Sequence, residues 1–370
     1  MKDTVLSTVG TSLLMNLRRL VQTPEAQAQG LNEQALQTQN TVATVKFLQR
    51  LDPAHRDCGA EINSITSLER KGYLQDKKAL HFLVSDTDEG QFMGEVLRQY
   101  YRDEFEDVTV RRVEGLHDKD FKAFRNQGLR NLVREMADII KTERRRGRDP
   151  IINATGGFKA QISFAGLIGQ VLGVPVYYMF ERFDEVIEMP PMPVAFDFSL
   201  WLEHFDLLDE LSRGDLPASD GRLRRVDPRI DPLLFRMDDD VTLSAMGELF
   251  HEGFLHQFDI NPPPPPPDSK VPPEDKPRIF GKDHHMPHGI ETYFDRLSRV
   301  PYVTQLQTFY SNIDMAERNR FWLSTCGVDR VEGSYSDGKA TCRFNVYLTS
   351  TEKRQAQIAM VDLSRRFYQC

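Results

Sequence analysis

Along the first 200 positions the apolar residues follow two alternating rhythms. Short unbroken runs, Val5–Val9, Ala79–Ser85 and Pro150–Ile152, read as strands buried on both faces. Helical patterns follow them: a helix opening after Gly10-Thr-Ser12, Gln91–Tyr101, and Ala160–Leu172. Asp107–Val113 is a further strand candidate, and the amphipathic stretch Asp118–Lys141 after it ends in the cationic turn Arg144-Arg-Arg-Gly-Arg148. Strands alternating with helices predict an α/β fold with a mostly parallel sheet. Residues 25–71 break the rhythm: they are polar and Gln-rich, with apolar Leu36, Val42, Val45 and Leu48, and predict helices decorating the sheet.

Beyond residue 200 the pattern changes. Ser199–Leu211 and Leu243–Phe254 carry helical spacing, with a short element at Asp227–Phe235 between them. Pro262–Pro267 and the charged, proline-containing stretch up to Pro277 form the clearest boundary. A proline run adopts an extended polyproline conformation and spaces domains semi-rigidly, although it also suits a proline-binding groove. In the tail, Ile290, Phe294 and Leu297, then Val303, Leu306, Phe309 and Tyr310, predict helices over Gly289–Arg299 and Pro301–Ile313. Strands are expected at Val328–Glu332, Thr341–Leu348 and Gln357–Asp362; the middle one alternates cleanly, Cys342, Phe344, Val346 and Leu348 against Thr341, Arg343, Asn345 and Tyr347.

The length of 370 residues fits about two to three domains. No run approaches the roughly 20 apolar residues of a membrane span, and the N-terminus shows no secretory signal, so a cytoplasmic protein without a membrane partner is expected. Cys58, Cys326, Cys342 and Cys370 lack CxxC spacing, which argues for reduced thiols and against a zinc ribbon. The net charge of −8 is uneven: from Lys276 onward 14 Lys and Arg face 10 Asp and Glu, a local +4, leaving −12 on the rest. A basic tail on an acidic body suits an RNA partner; scatter of surface charge fits the same numbers. Asp238-Asp-Asp240 would repel phosphates and argues against DNA.

The candidate chemistry sits where strands end. Asn153-Ala-Thr-Gly-Gly-Phe-Lys159 offers backbone N–H groups, a hydroxyl and a cation at a helix start, an arrangement suited to a phosphodiester. Gly-rich turns also occur merely to ease a bend. Gly10-Thr-Ser12, and Ser85-Asp-Thr-Asp-Glu-Gly90 after the second buried run, repeat the logic, and in a parallel sheet all three turns reach one edge. The site reading therefore wins.

These three motifs, with the run Val174–Glu181 and the Met189-Pro-Pro-Met-Pro193 exit, resemble the CARF domain, a CRISPR-associated Rossmann-like sensor, over roughly residues 1–200. The resemblance implies a homodimer that binds cyclic tetra- or hexa-adenylate, the tetra-adenylate favoured, as an allosteric ligand with no other cofactor. The expected contacts are Gly10, Thr11, Ser12, Ser85, Asp86, Thr87, Thr155, Gly156, Gly157, Phe158 and Lys159. The expected organisation is a CARF domain over 1–198, a small winged-helix-like connector over 199–260, a proline-rich linker over 261–277 and an effector over 278–370.

The effector's expected helices and small sheet, its arginine-bearing strand and the ending Asp362-Leu-Ser-Arg-Arg-Phe-Tyr368 resemble the RelE toxin family over about 80 residues. That implies a C-terminal α+β domain acting as a metal-free, ribosome-dependent mRNA endoribonuclease, an antiviral CRISPR effector whose partners are mRNA and the ribosome. Arginine clamps a phosphate bidentately. By motif, Arg330, Arg343, Arg365, Arg366 and Tyr368 take the catalytic positions; the alternative is that the arginines only line a polar sheet face. His284, His285 and His288 fit a surface loop better than a metal site. A HEPN-type nuclease acting on free RNA and a CARF transcription regulator stay open as alternatives.

Overall fold

The computed structural model describes residues 2–180, 183–192, 196–224, 226–281, 286–309 and 319–367. Tyr368, His284, His285, Cys370, Glu181, Pro193 and the end of the second expected tail helix, 310–313, lie outside the described residues. The chain forms two compact units, Met1–Phe196 with Asp215–His256, and Asp197–Gly214 with Gln257–Cys370. The segment expected as one connector, 199–260, is thus divided between them.

In the first unit, strands β1 (Thr4–Thr8), β2 (Ala79–Val84), β3 (Asp107–Arg112), β4 (Pro150–Asn153), β5 (Val176–Tyr178) and β6 (Ile187–Met189) form one sheet in the order β3-β2-β1-β4-β5-β6. All neighbours are parallel except β6, which returns antiparallel on β5. Every residue of β1, β2 and β4 is buried, which is why those runs read as unbroken rather than alternating. Their side chains go alternately to two cores. Val5, Leu80, Phe82 and Ile151 meet the helices Ser12–Leu20, Gly59–Arg70 and Asp88–Tyr101; Leu6, Leu83 and Ile152 meet Leu129–Arg145 and Lys159–Leu172.

The Gln-rich insertion contains the expected helices, Pro24–Ala28, Glu33–Gln37 and Thr41–Leu48. Thr23, Asn32 and Asn40 start them, each side chain accepting the N–H of the residue three positions on. The later part of this unit adds a small antiparallel sheet, β7 (Leu216–Pro217), β8 (Leu234–Arg236) and β9 (Asp240–Leu243), ordered β7-β9-β8. The helix that begins at Ala245 follows it, with Glu248 buried and held by Arg134 at 2.7 Å.

The second unit is built on β10 (Arg278–Ile279), β11 (Val303–Phe309), β12 (Arg320–Leu323), β13 (Arg330–Ser336) and β14 (Thr341–Leu348), ordered β10-β11-β14-β13-β12. The helix Ile290–Ser298 lies where expected, but 303–309 is a strand, not a helix. A register shift between Val303 and Gln305 inserts one residue, so Val303 and Leu306 are buried on one face three positions apart and imitate helical spacing. The expected strand Gln357–Asp362 lies inside the helix Lys353–Phe367, whose Ala356, Ala359, Met360, Leu363 and Phe367 recur at three and four. The linker lies along this unit instead of standing clear of it. The Thr349 hydroxyl donates to the Pro267 carbonyl at 2.5 Å, and the buried Lys276 ammonium donates to the carbonyls of Ser298 and Val300 at 2.9 Å. No described helix is long and apolar enough to cross a membrane.

Candidate functional site

In the first unit the strand order runs outward in both directions from the β1–β4 pair. In such a sheet the loops leaving the central pair part, and the crevice between them at the carboxyl edge is where ligands bind. Here those loops are Val9–Thr11 and Ala154–Phe158, tied together from beneath. Thr8 Oγ1 donates to the Gly156 carbonyl at 2.5 Å, and the Gly10 N–H donates to Glu61 Oε1 at 2.7 Å. The approach is so close that a Cβ on Gly10 would stand 2.6 Å from the Gly157 nitrogen, while one on Gly156 would meet the Glu61 carboxylate. Glycine is required at both positions by contact, not merely to ease a bend.

Below the turns lies a buried polar ladder. The Asn153 amide donates to Ser64 Oγ at 2.8 Å and Ser7 Oγ at 3.1 Å, and Thr155 Oγ1 donates to Asn153 Oδ1 at 2.8 Å. Thr155 Oγ1 in turn accepts the Met179 N–H at 3.1 Å, fixing the β4 turn to β5. Glu61 is fully buried, and its Oε2 has no hydrogen-bond partner among the described residues. Burial pushes its pKa up, against the pull of the Gly10 N–H. No sequence signal marks Glu61, because only the packing of Gly59–Arg70 brings it under the turns.

Five expected residues, Gly10, Thr11, Ser85, Gly157 and Phe158, line a cleft of about 70 Å³, which Val9, Leu14, Glu89, Gly90 and Met93 complete. Lys159 is exposed at the first turn of Lys159–Leu172, with no ion-pair partner among the described residues. The other expected residues hold the loops in shape. Ser12 Oγ accepts the Ala60 N–H at 3.3 Å; Gly156 is buried; Thr87 starts the helix Asp88–Tyr101 and accepts the Gly90 N–H at 2.9 Å. The Asp86 carboxylate is turned to the Gly115 N–H at 2.8 Å and Arg112 at 2.5 Å, and these partners, Gly115 foremost, hold its pKa below the usual range.

In the second unit the sheet has an apolar and a polar face. Phe344, Val346, Val331 and Phe321 are buried toward Ile290–Ser298 and Lys353–Phe367, with Tyr293 and Phe367 packed on Phe344 and Phe321. The opposite face carries, in register, Gln305 and Gln307 on β11; Tyr347, Asn345 and Arg343 on β14; Arg330, Glu332 and Ser334 on β13; and Trp322 and Arg320 on β12. The guanidinium of Arg343 lies 5.3 Å from the Trp322 ring centre, and that of Arg320 lies 5.1 Å from it. Arg330 stacks on Tyr347 at 4.7 Å and donates to its hydroxyl at 3.1 Å, while Asp329 pairs with Arg330 at 2.9 Å.

Arg330 and Arg343 therefore share a sheet face. Arg365 and Arg366 do not: they sit on the helix covering the opposite face, Arg365 paired with Asp259 and Arg366 with Asp362 at 2.8 Å. Tyr347 lies on the face with Arg343, as the alternation of Thr341–Leu348 predicts, while Trp322, Arg320 and Gln307 join it only through strand register. His288 lies in a loop, its N–H donating to Asp337 at 2.7 Å. Among the described residues no group of three His, Cys, Asp or Glu is placed to hold a metal ion.

Residues 56–192 match the family described as CRISPR-associated protein (Cas_APE2256). The match spans β2 to β6 and includes the Thr155-Gly-Gly157 turn. No curated protein matches the chain. Among solved structures, Can2 from Sulfobacillus thermosulfidooxidans in complex with cyclic tetra-adenylate aligns at 11% identity and a TM-score of 0.25, covering 69% of this chain and 65% of that one. Protein VC1899 from Vibrio cholerae aligns at 9% identity and a TM-score of 0.25, covering 93% of this chain and 77% of that one.

Proposed function

We propose that the chain is a CRISPR ancillary effector whose first unit binds a cyclic oligoadenylate and whose second unit cuts RNA in response. The observation that carries the reading is the glycine-walled crevice at the β1–β4 switch point, with the exposed Lys159 beside it, in a chain whose β2–β6 segment matches a CRISPR-associated family. Ring phosphates lie on the backbone N–H groups of the turns, and Lys159 adds a charge-assisted contact. The cleft, about 70 Å³ on one chain, is far smaller than a four-nucleotide ring. Two copies related by a two-fold axis each supply half of the site, so the active form is a homodimer.

The cutting face is the polar side of the second unit's sheet. Arg343 clamps the scissile phosphate and stabilises the charge that develops on it as the 2′-hydroxyl attacks the phosphorus and the 5′-oxygen leaves. The hydroxyl proton passes to solvent, and the departing oxygen takes one from solvent. Arg330, four positions along β13 from Arg343's partner Ser334, holds a flanking phosphate. This is RelE-like chemistry, with mRNA on the ribosome as substrate. Arg365 and Arg366, on the covering helix and paired with Asp259 and Asp362, make no contact to the reacting atoms.

The test is RNA cleavage on translating ribosomes and on naked RNA, with cyclic tetra-adenylate, cyclic hexa-adenylate or no ring. Cleavage that needs both a ring and the ribosome supports the reading. Ring-dependent cleavage of naked RNA overturns the ribosomal part, and ring-controlled DNA binding without cleavage overturns the nuclease.

A further inference from the structure

The Gln-rich insertion is the one segment singled out by sequence to which the sensor reading gives no task. Its helix Glu33–Gln37 and the turn that follows it roof a cavity of about 390 Å³ that adjoins the phosphate cleft, with Leu14 and Glu89 lining both. The walls are apolar: Leu14 from Ser12–Leu20 and Val21 just past its end, Leu36 from the insertion and Phe92 from Asp88–Tyr101. The rim is polar, with exposed Glu33, Gln37 and Gln39 from the insertion, Glu33 accepting from the Gln22 amide at 2.6 Å, and an ion pair, Arg18 to Glu89, at the junction with the cleft.

Gln39 carries the second observation. It is the only non-glycine residue with a positive φ, +51°, among the described residues. It stands two positions past the end of Glu33–Gln37, just after Thr38, where the Asn40 N–H returns to the Ala35 carbonyl at 2.8 Å and the Gln39 N–H to that of Leu36 at 3.1 Å. That is a helix termination in which glycine is the usual residue. A glutamine there keeps a disfavoured backbone conformation and gains a primary amide at the cavity mouth.

We propose that this cavity takes an adenine base of the ring, stacked among Leu14, Leu36 and Phe92 and read by the amides of Gln37 and Gln39. The inference rests on the cyclic-oligoadenylate reading of the neighbouring cleft. A flat purine fits an apolar slot, and a glutamine amide pairs bidentately with adenine by donating to N7 and accepting from the 6-amino group. A uracil base presents neither that donor nor that acceptor in the same places. The Arg18 cation offsets the Glu89 carboxylate at the point where the chain from base to phosphate must pass. The phosphate cleft thus holds any ring of the right size, and the insertion selects adenine.

The experiment is calorimetric titration of the full-length chain with cyclic tetra-adenylate and with cyclic tetra-uridylate, which has the same ring phosphates. The variant is Gln37→Ala with Gln39→Gly, chosen because glycine suits the backbone at 39, and its melting temperature is compared with wild type. We expect wild type to prefer the adenylate ring, and the variant to lose roughly five- to a hundredfold in affinity for that ring alone. Lys159→Ala should weaken both rings alike. Unchanged adenylate affinity in the variant, or equal binding of both rings by wild type, overturns the inference. Failure of wild type to bind either ring overturns the sensor reading itself.

Discussion

The two sheets of this protein place chemistry in opposite ways. In the first unit the candidate groups belong to loops at the end of a sheet buried on both sides. They are largely backbone N–H groups, and their positions follow from glycines that let β1 and β4 exits touch. In the second unit the candidate groups are side chains spread over four strands of a sheet covered on one side, and strand register alone puts Trp322, Arg343 and Arg330 on one face. A site made of turns survives most side-chain substitutions, Lys159 apart, but not an added Cβ. A site made of register survives loop changes but not the loss of one guanidinium.

The largest effect expected from that contrast is at Arg343. Arg343→Ala should reduce RNA cleavage by about 10²–10³, the usual cost of losing one donor to developing charge. Ring affinity should stay at the wild-type value, because the residue belongs to the other unit. Cleavage and calorimetry on the same preparation check both halves. Arg366→Ala is the control within the unit, since Arg366 is paired with Asp362 on the covering helix; it should cut within a few-fold of wild type.

Next comes Lys159→Ala, which removes one charge-assisted contact and should weaken ring binding by roughly ten- to a hundredfold, about 1.5–3 kcal/mol. Its melting temperature should not move, because the side chain is exposed. Gly156→Ala should act the other way round. Its Cβ would press on the Glu61 carboxylate and stand 2.8 Å from the Thr8 carbonyl, costing about 1–3 kcal/mol in stability as overpacking does. Chemical denaturation measures it, and an unchanged midpoint would mean the two turns are not in contact.

The smallest expected effect is a pH slope from Glu61. Burial raises its pKa in the folded chain, so the folded state holds the proton more tightly than the unfolded one. Its contribution is fully present below the unfolded carboxyl value of about 4.3 and is lost as pH rises through the higher folded value. Glu61→Gln keeps an acceptor for the Gly10 N–H and removes the charge. Stability measured between pH 4 and 8 should therefore fall less with rising pH in the variant than in wild type. Parallel curves would show that Glu61 does not titrate differently in the two states.

What sequence reasoning could see follows the same division. The parallel sheet and its three turns were legible because the information is local: an apolar run, a glycine turn and a helix start lie within a dozen residues. Glu61 was not, since nothing near it in sequence resembles a ligand-binding motif and only the packing of its helix brings it beneath Gly10. In the second unit the clean alternation at Thr341–Leu348 gave the right strand and face. The bulge at Val303–Gln305 disguised a strand as a helix, and Lys353–Phe367 is buried so broadly, with Gln357 and Ser364 among its covered positions, that its period was obscured. The strand expected up to Asp362 is part of that helix, which also carries Arg365 and Arg366.

The measurement that bears most directly on the central claim is the stoichiometry of ring binding. Titrating cyclic tetra-adenylate into the full-length chain should give saturable binding at one ring per two chains, with affinity reduced in Lys159→Ala. Absence of saturable binding by both the tetra- and the hexa-adenylate ring would contradict the account, as would binding that Lys159→Ala leaves untouched.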